Sequence, residues 1–174
     1  MPSVADEQRD ERDHLIVCMA DQRAALRNAL RGVSDEQARA RPTVSELSLA
    51  ALLKHAVLGE TPWIPVLAGE GGDWTHRDGK SEFTVDESDS LDELLRAHEE
   101  GARAMERAVR ALPDLGSRVP LPRTPWGPSG LVRPVRWILL HLITEGARHA
   151  GHADIIRESL DGATAHGPGR ATDA

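Results

Sequence analysis

Four stretches of the chain place apolar residues three and four positions apart, which is the spacing of an amphipathic α-helix. This pattern predicts helices near residues 7–31, 45–68, 90–112 and 134–160. The second and third stretches open with a serine or threonine followed three residues later by a glutamate, at positions 43–46 and 90–93, as in the capping box of helix N-termini. The pattern therefore predicts an all-α fold arranged as a four-helix bundle.

Proline, glycine and small polar residues interrupt this helical pattern. Pro62 and Pro65 predict that the second helix kinks or ends near Glu60, because proline lacks the N–H that a helix interior requires. Residues 69–89 are predicted to form a connection long enough to cross the bundle. Residues 113–134 contain six prolines and are predicted to form an extended loop over one end of the bundle.

The fourth helical stretch carries ionisable side chains on its apolar face. With His141 set at zero and about 100° per residue, Glu145, His149 and His152 all fall on the side of the aliphatic positions. An isolated histidine on such a face is usually a hydrogen-bonded core residue. A buried charge without a partner costs several kcal/mol, however, and four ionisable groups on one face favour a metal ion as their common partner.

Glu145 and His149 are four residues apart, so their side chains are stacked one turn apart on one helix face. Ions such as Zn²⁺ bind imidazole nitrogen and carboxylate oxygen, and three protein ligands leave one coordination position open. His55, at the margin of the apolar face of the second helix, is the best-placed third ligand. His152, one turn beyond His149, is predicted to support the site or line the pocket, where its ring would orient a bound group.

Two further residues are candidates for contact with a substrate. Trp126 is the one aromatic residue of the loop at 113–134 and is predicted to line a pocket. Arg148 lies near the ionisable face of the fourth helix and would pair with a substrate carboxylate. A structural ion pair with an acidic neighbour is the commoner role of such an arginine.

Composition narrows the class of function. A net charge of −7 argues against a nucleic-acid partner, because phosphate binding needs a basic surface. No apolar run reaches the length of a membrane span, and residues 1–13 are too charged for a signal peptide, so we expect a cytoplasmic protein. The chain has no glycine-rich phosphate loop and no G-x-S-x-G motif, which leaves nucleotide and serine-hydrolase chemistry without support.

The 174 residues are enough for one domain, predicted at residues 1–162, with a disordered tail at residues 163–174. Cys18 is the only cysteine, so an intrachain disulfide is excluded. Its position beside apolar residues of the first helix predicts a buried packing role.

The sequence LSLAALLKH, which ends at His55, and the sequence EGARHAGHADIIR, which starts at Glu145, resemble the DinB superfamily. The likeness extends over about residues 8–162. Within the superfamily the chain is similar to an actinobacterial group of largely uncharacterised proteins, near the mycothiol-dependent maleylpyruvate isomerases. The resemblance implies a four-helix bundle with an up-down-down-up course. It also implies a divalent metal, Zn²⁺ or Ni²⁺, on His55, Glu145 and His149.

The resemblance further implies chemistry on a thiol. Related bundles use mycothiol or a similar low-molecular-weight thiol as the sulfur donor, so a metal-dependent S-transferase acting on an electrophile is expected. The isomerases carry an additional C-terminal domain that this chain is expected to lack, which favours a transferase over an isomerase. The alternative is a non-catalytic, metal-stabilised bundle that binds a partner or small ligand, and a fourth ligand such as His152 would favour it. The family also suggests a homodimer, although the sequence shows no self-complementary patch.

Overall fold

The computed structural model of the protein describes residues 10–165 and 167–168. This part of the chain is mostly helical, which confirms the all-α prediction. The helices are α1 (Glu11–Ala29), α2 (Asp35–Arg39), α3 (Leu49–Glu60), α4 (Trp63–Leu67), α5 (Leu91–Ala111) and α6 (Val135–Asp161). A single 3-10 helix turn (Ser81–Phe83) lies between α4 and α5. The strands are β1 (Arg118–Pro120), β2 (Val132–Pro134), β3 (Ala163–Thr164) and β4 (Gly167–Pro168).

The second predicted helix starts later than expected and is divided in two. Its first part, α3, begins at Leu49, because the hydroxyl of Ser48 accepts a hydrogen bond from a backbone N–H in the first turn. The predicted start near residue 45 is wrong, since the hydroxyls of Thr43 and Ser45 instead accept hydrogen bonds within local turns. The break after Glu60, where α3 ends and α4 follows, confirms the prediction from the prolines.

The four long helices α1, α3, α5 and α6 pack side by side. The main contacts join α1 to α5 and α6, and α3 to the same two helices. Gly146 brings α6 close to α1, because a Cβ atom at this position would lie 3.1 Å from Cβ of Gln22. The strands β1 and β2 pair antiparallel, so much of the segment 113–134, which was predicted to be a loop, forms a hairpin directly before α6.

Two separate hydrophobic clusters form the core. The first, here called the hairpin-side cluster, takes residues from α1, α4, α5, α6 and the β1 hairpin, including Ile16, Trp63, Met105, Val119 and Ile138. The second, the α2-side cluster, takes residues from α1, α2, α3, α5 and α6, including Leu26, Ala38, Leu52, Leu94 and Ile156. Both clusters bury side chains of less than one tenth exposure, so apolar burial stabilises both ends of the helix assembly.

Cys18 corrects one expectation. The face of α1 that turns inward carries Ile16, Met19, Arg23 and Leu26, and Cys18 lies off this face and is exposed. The prediction of a buried packing cysteine is therefore wrong, because the helix is rotated so that Met19 occupies the core.

The predicted tail lies partly outside the described residues. Ala163–Thr164 pairs antiparallel with Gly167–Pro168 directly after α6. The disordered tail at 163–174 and the single domain at 1–162 stay predictions. None of the helices within the described ranges is long and apolar enough to cross a membrane.

Candidate functional site

A layer of polar side chains separates the two hydrophobic clusters. In α1, α5 and α6 these polar residues lie between the residues that the helix gives to one cluster and those that it gives to the other, whereas α3 gives residues to the α2-side cluster and is followed by α4, which gives residues to the hairpin-side cluster. The layer comprises Arg23 from α1, His55 and Glu60 from α3, His98 from α5, and Glu145 and His149 from α6.

A cavity of about 460 Å³ opens into this polar layer and is lined by all six residues of the layer. Three tryptophans, Trp63, Trp74 and Trp126, line its apolar side together with leucine and proline residues of the hairpin loop. The cavity is large enough for a small-molecule ligand and combines an apolar wall with a few convergent polar groups, as ligand sites do.

His55 and His149 meet across the interface of α3 and α6. Their ring centroids are 4.8 Å apart and the rings are almost perpendicular, at 75°. Glu145 completes the group, because its Oε2 lies 3.7 Å from Nε2 of His149, one turn away on α6. The three residues predicted as metal ligands thus line the same cavity.

The two imidazoles of this group are mostly buried. Both ring nitrogens of His149 are buried without a hydrogen bond to another described residue. Burial lowers the pKa of His149 to about 4, and the neighbouring His55 adds to this shift. Burial also lowers the pKa of His55, although the carboxylate of Glu82 opposes the change. Both rings are therefore neutral near pH 7, which is the form that binds a metal.

The donors fit a divalent metal in kind, since two neutral imidazoles and a carboxylate are ligands of Zn²⁺ and Ni²⁺. The unpartnered nitrogens of His149 are the observation that favours such a ligand, because buried polar atoms normally have a partner. Within residues 10–165, however, no three His, Cys, Asp or Glu side chains are drawn together closely enough to hold an ion as they stand.

The other three candidate residues occupy different positions. Trp126 lines the cavity and is 64% exposed, so it stands at the cavity mouth. Arg148 forms an ion pair with Glu145, with 2.6 Å between Nη1 and Oε1, and is not among the lining residues described. His152 lies behind His149, with ring centroids 6.3 Å apart, and its Nδ1 is buried without a hydrogen-bond partner in the part of the chain that the structure describes.

Several residues of the site were absent from the sequence prediction. Arg23 and Glu60 form a largely buried ion pair in the cavity wall. His98 is 3% exposed, and burial lowers its pKa to about 4. The sequence does carry a signal for these residues, because polar side chains interrupt the apolar face of each long helix at a corresponding depth. This signal can be recognised only once the alignment of the four helices is known.

Residues after α4 also reach the site. Phe83 stacks on His55 with ring centroids 4.0 Å apart. Oε2 of Glu82 lies 3.2 Å from Nδ1 of His55, although the direction of the N–H does not make a well-aligned hydrogen bond. Arg77 donates to the other carboxylate oxygen of Glu82 over 2.8 Å.

The mostly helical fold agrees with the DinB superfamily, and this chain is a member of it. A family model described as mycothiol S-transferase matches residues 14–162, so the chain belongs to that family. No curated protein and no solved structure matches the chain.

Proposed function

We propose that the protein transfers the sulfur of mycothiol, or of a similar low-molecular-weight thiol, to a small electrophile, with a divalent metal held by His55, Glu145 and His149. The observation that carries this proposal is the buried imidazole of His149, which lines the cavity and has no hydrogen bond from either nitrogen to another described residue. We propose mycothiol as the thiol because the chain belongs to the mycothiol S-transferase family.

The metal would be Zn²⁺ or Ni²⁺. A divalent cation bound at this site would lower the pKa of a thiol and favour the thiolate, which is the nucleophilic form. Glu145 forms an ion pair with Arg148 on the outer side of α6. To bind the metal, its carboxylate would leave this ion pair and turn to the inner side. His152 would support the ring of His149 from behind.

The chain's own groups would guide the transfer. His141 lines the cavity, and burial lowers its pKa, so it is neutral near pH 7 and able to accept the thiol proton. The sulfur would then form a bond to the electrophilic carbon, and the leaving group would depart with the bonding electron pair.

The acceptor is proposed to be apolar. Trp63 and Trp74 meet edge to face, with centroids 4.9 Å apart, and form one continuous aromatic wall of the cavity. Trp126 at the mouth adds a further exposed ring. Aromatic faces bind planar apolar groups by burial and stacking, so an aromatic or alkyl electrophile fits this side of the cavity better than a charged one.

The four long helices are proposed to run up-down-down-up. This course is supported by the order in which each helix meets the two clusters. α1 and α6 start in the hairpin-side cluster and end in the α2-side cluster, whereas α3 and α5 start in the α2-side cluster. The long connection at 69–89 then serves to return the chain to the end where α3 began.

A conjugation assay tests the proposal. The protein is stripped with a chelator, reloaded with Zn²⁺ or Ni²⁺, and incubated with mycothiol and a panel of aryl and alkyl electrophiles, and the thioether is detected by mass spectrometry. We expect metal-dependent product from the wild type and none from His55→Ala. His76→Ala is the matched control, because His76 is an exposed histidine that does not line the cavity.

A fully metallated protein that binds no mycothiol by calorimetry and conjugates no electrophile would contradict the transferase proposal. Binding of mycothiol without conjugation would favour the alternative, a metal-stabilised bundle that binds a small ligand. Equal product from the metal-free and the reloaded protein would contradict the role of the metal.

A further inference from the structure

The segment between α4 and α5 folds back over α3 and encloses one side of His55. The 3-10 turn Ser81–Phe83 packs against α3. The ring of Phe83 lies almost parallel to that of His55, at 14° and 4.0 Å between centroids. The carboxylate of Glu82, one residue earlier, approaches Nδ1 of the same ring to 3.2 Å. One face and one nitrogen of the imidazole are thus in contact with this segment.

Glu82 is itself held in place. Its Oε1 accepts a hydrogen bond of 2.8 Å from Nε of Arg77. Arg77 in turn donates from Nη2 to the carbonyl oxygen of Leu58 over 2.9 Å, and its guanidinium lies 4.9 Å from the ring centroid of Trp74. The side chain of Glu82 is only 12% exposed. Because Arg77 occupies Oε1, the oxygen that faces His55 is Oε2.

This arrangement discriminates between the two tautomers of a neutral imidazole. With the proton on Nδ1, the ring presents an N–H to a carboxylate oxygen, which is an attractive contact. With the proton on Nε2, the lone pair of Nδ1 would face a carboxylate oxygen at 3.2 Å, and two acceptors would repel each other. The contact therefore favours the Nδ1–H tautomer.

We propose that Glu82 is a positioning residue that holds His55 as the Nδ1–H tautomer, so that the lone pair of Nε2 is available to the cavity. A carboxylate on the far nitrogen is the usual way in which proteins orient a metal-binding histidine. The use of this lone pair for a metal rests on the proposed function. The tautomer itself does not, because it follows from Glu82 and Arg77 alone.

Nitrogen-15 NMR of the histidine rings in the full-length, metal-free protein at pH 8 tests the proposal. In the wild type we expect the protonated-nitrogen shift on Nδ1 of His55 and the lone-pair shift on Nε2. In Glu82→Gln we expect the reverse. Arg77 needs an acceptor, so it selects the amide oxygen, and the amide NH₂ then faces Nδ1 and donates to it.

Glu87→Gln is the matched control, because Glu87 is an exposed residue of the same segment and undergoes the same chemical change. It should retain the wild-type tautomer. A wild-type His55 with its proton on Nε2 would overturn the proposal, and this result needs no variant to fold. An unchanged tautomer in Glu82→Gln would overturn it too.

Metal binding gives a second measurement. Titration calorimetry with Zn²⁺ should show affinity about 10- to 100-fold lower in Glu82→Gln than in the wild type, as for other residues that orient a metal ligand. Equal affinity in a variant whose tautomer has inverted would overturn the positioning role. If neither protein binds Zn²⁺ while the tautomer inverts as expected, the metal site fails and the role of Glu82 in orienting His55 stands.

Discussion

The imidazole rings of His55 and His149 meet nearly at right angles, with centroids 4.8 Å apart, although they belong to α3 and α6. The contact joins two helices that are far apart in the sequence and places a pair of neutral imidazoles in the cavity. Both rings are kept neutral mainly by burial, which lowers the pKa of each.

His149→Ala should abolish retention of the divalent metal. The change removes one of three ligands, and the remaining histidine and carboxylate make only a weak site. Metal content after desalting, measured by elemental analysis, should fall from about one ion per chain to a small fraction of that, on the order expected for a two-ligand site. His14→Ala is the control, since His14 is exposed on α1. Wild-type metal content in His149→Ala would disprove the ligand role.

Gly59→Ala should stabilise the fold while weakening the site. Gly59 is the last residue but one of α3, and alanine is favoured over glycine within a helix by up to about 1 kcal/mol. The added Cβ would lie 3.6 Å from both Cε1 and Nε2 of His55, beside the nitrogen proposed to bind the metal. Urea unfolding and Zn²⁺ calorimetry should therefore change in opposite directions.

Gly151→Ala is the control for that substitution, because Gly151 lies inside α6, is exposed, and a Cβ there meets no atom within 4 Å. It should raise the free energy of unfolding by a similar amount and leave Zn²⁺ affinity unchanged. Undiminished affinity in Gly59→Ala would show that the space beside His55 is not used.

His98 should make the fold less stable in acid. Burial lowers its pKa to about 4, and Arg27 and Arg23 add to the shift. As the pH falls below about 6.5, the unfolded chain gains a proton at this residue that the folded chain does not accept until about pH 4. Stability is therefore lost across this window, by about 3 kcal/mol from this residue.

His98→Leu should remove that part of the loss, so the difference between the free energies of unfolding at pH 7 and pH 4.5 should be smaller than in the wild type. Chemical denaturation at the two pH values measures it. His14→Leu should keep the wild-type difference, because His14 is exposed. An identical pH dependence in His98→Leu and the wild type would exclude this mechanism.

Arg23→Ala should destabilise the fold strongly. The guanidinium of Arg23 is buried and pairs with Glu60, whose side chain is 18% exposed, so the change leaves a largely buried carboxylate without its partner. Loss of one member of such a pair costs about 3 kcal/mol. The double variant Arg23→Met with Glu60→Leu should recover most of this loss in urea unfolding. A double variant as unstable as Arg23→Ala would refute the charge argument.

Trp126→Ala should raise the KM for apolar acceptors by about 10-fold, on the order of the loss of one aromatic contact, with a smaller effect on kcat. Trp126 lines the cavity mouth, whereas Ile155, a large apolar residue of similar exposure, is not among the residues that line the cavity. Ile155→Ala is therefore the control. Equal KM values in the two variants would contradict a role of Trp126 in binding the acceptor.

The sequence by itself determined the helices and most of their ends. Helical periodicity and caps depend on residues three and four positions apart, so they can be recognised without knowledge of the fold. The position of α6 was predicted correctly for this reason, and the break after Glu60 was predicted from the equally local effect of Pro62 and Pro65. The predicted start of α3 failed because Ser48 caps the helix better than the earlier box, and both are local alternatives.

Only the tertiary structure decided which side chains meet. The helix face of α6 identified Glu145 and His149, but no periodicity relates Glu82 or Arg23 to them, because those contacts join separate elements. The rotation of α1, which exposes Cys18 and buries Arg23, is likewise set by packing against α5 and α6. Burial then decides the chemistry, because it lowers the pKa of a histidine in the polar layer and keeps the ring neutral near pH 7, whereas a histidine on the surface is not subject to this effect.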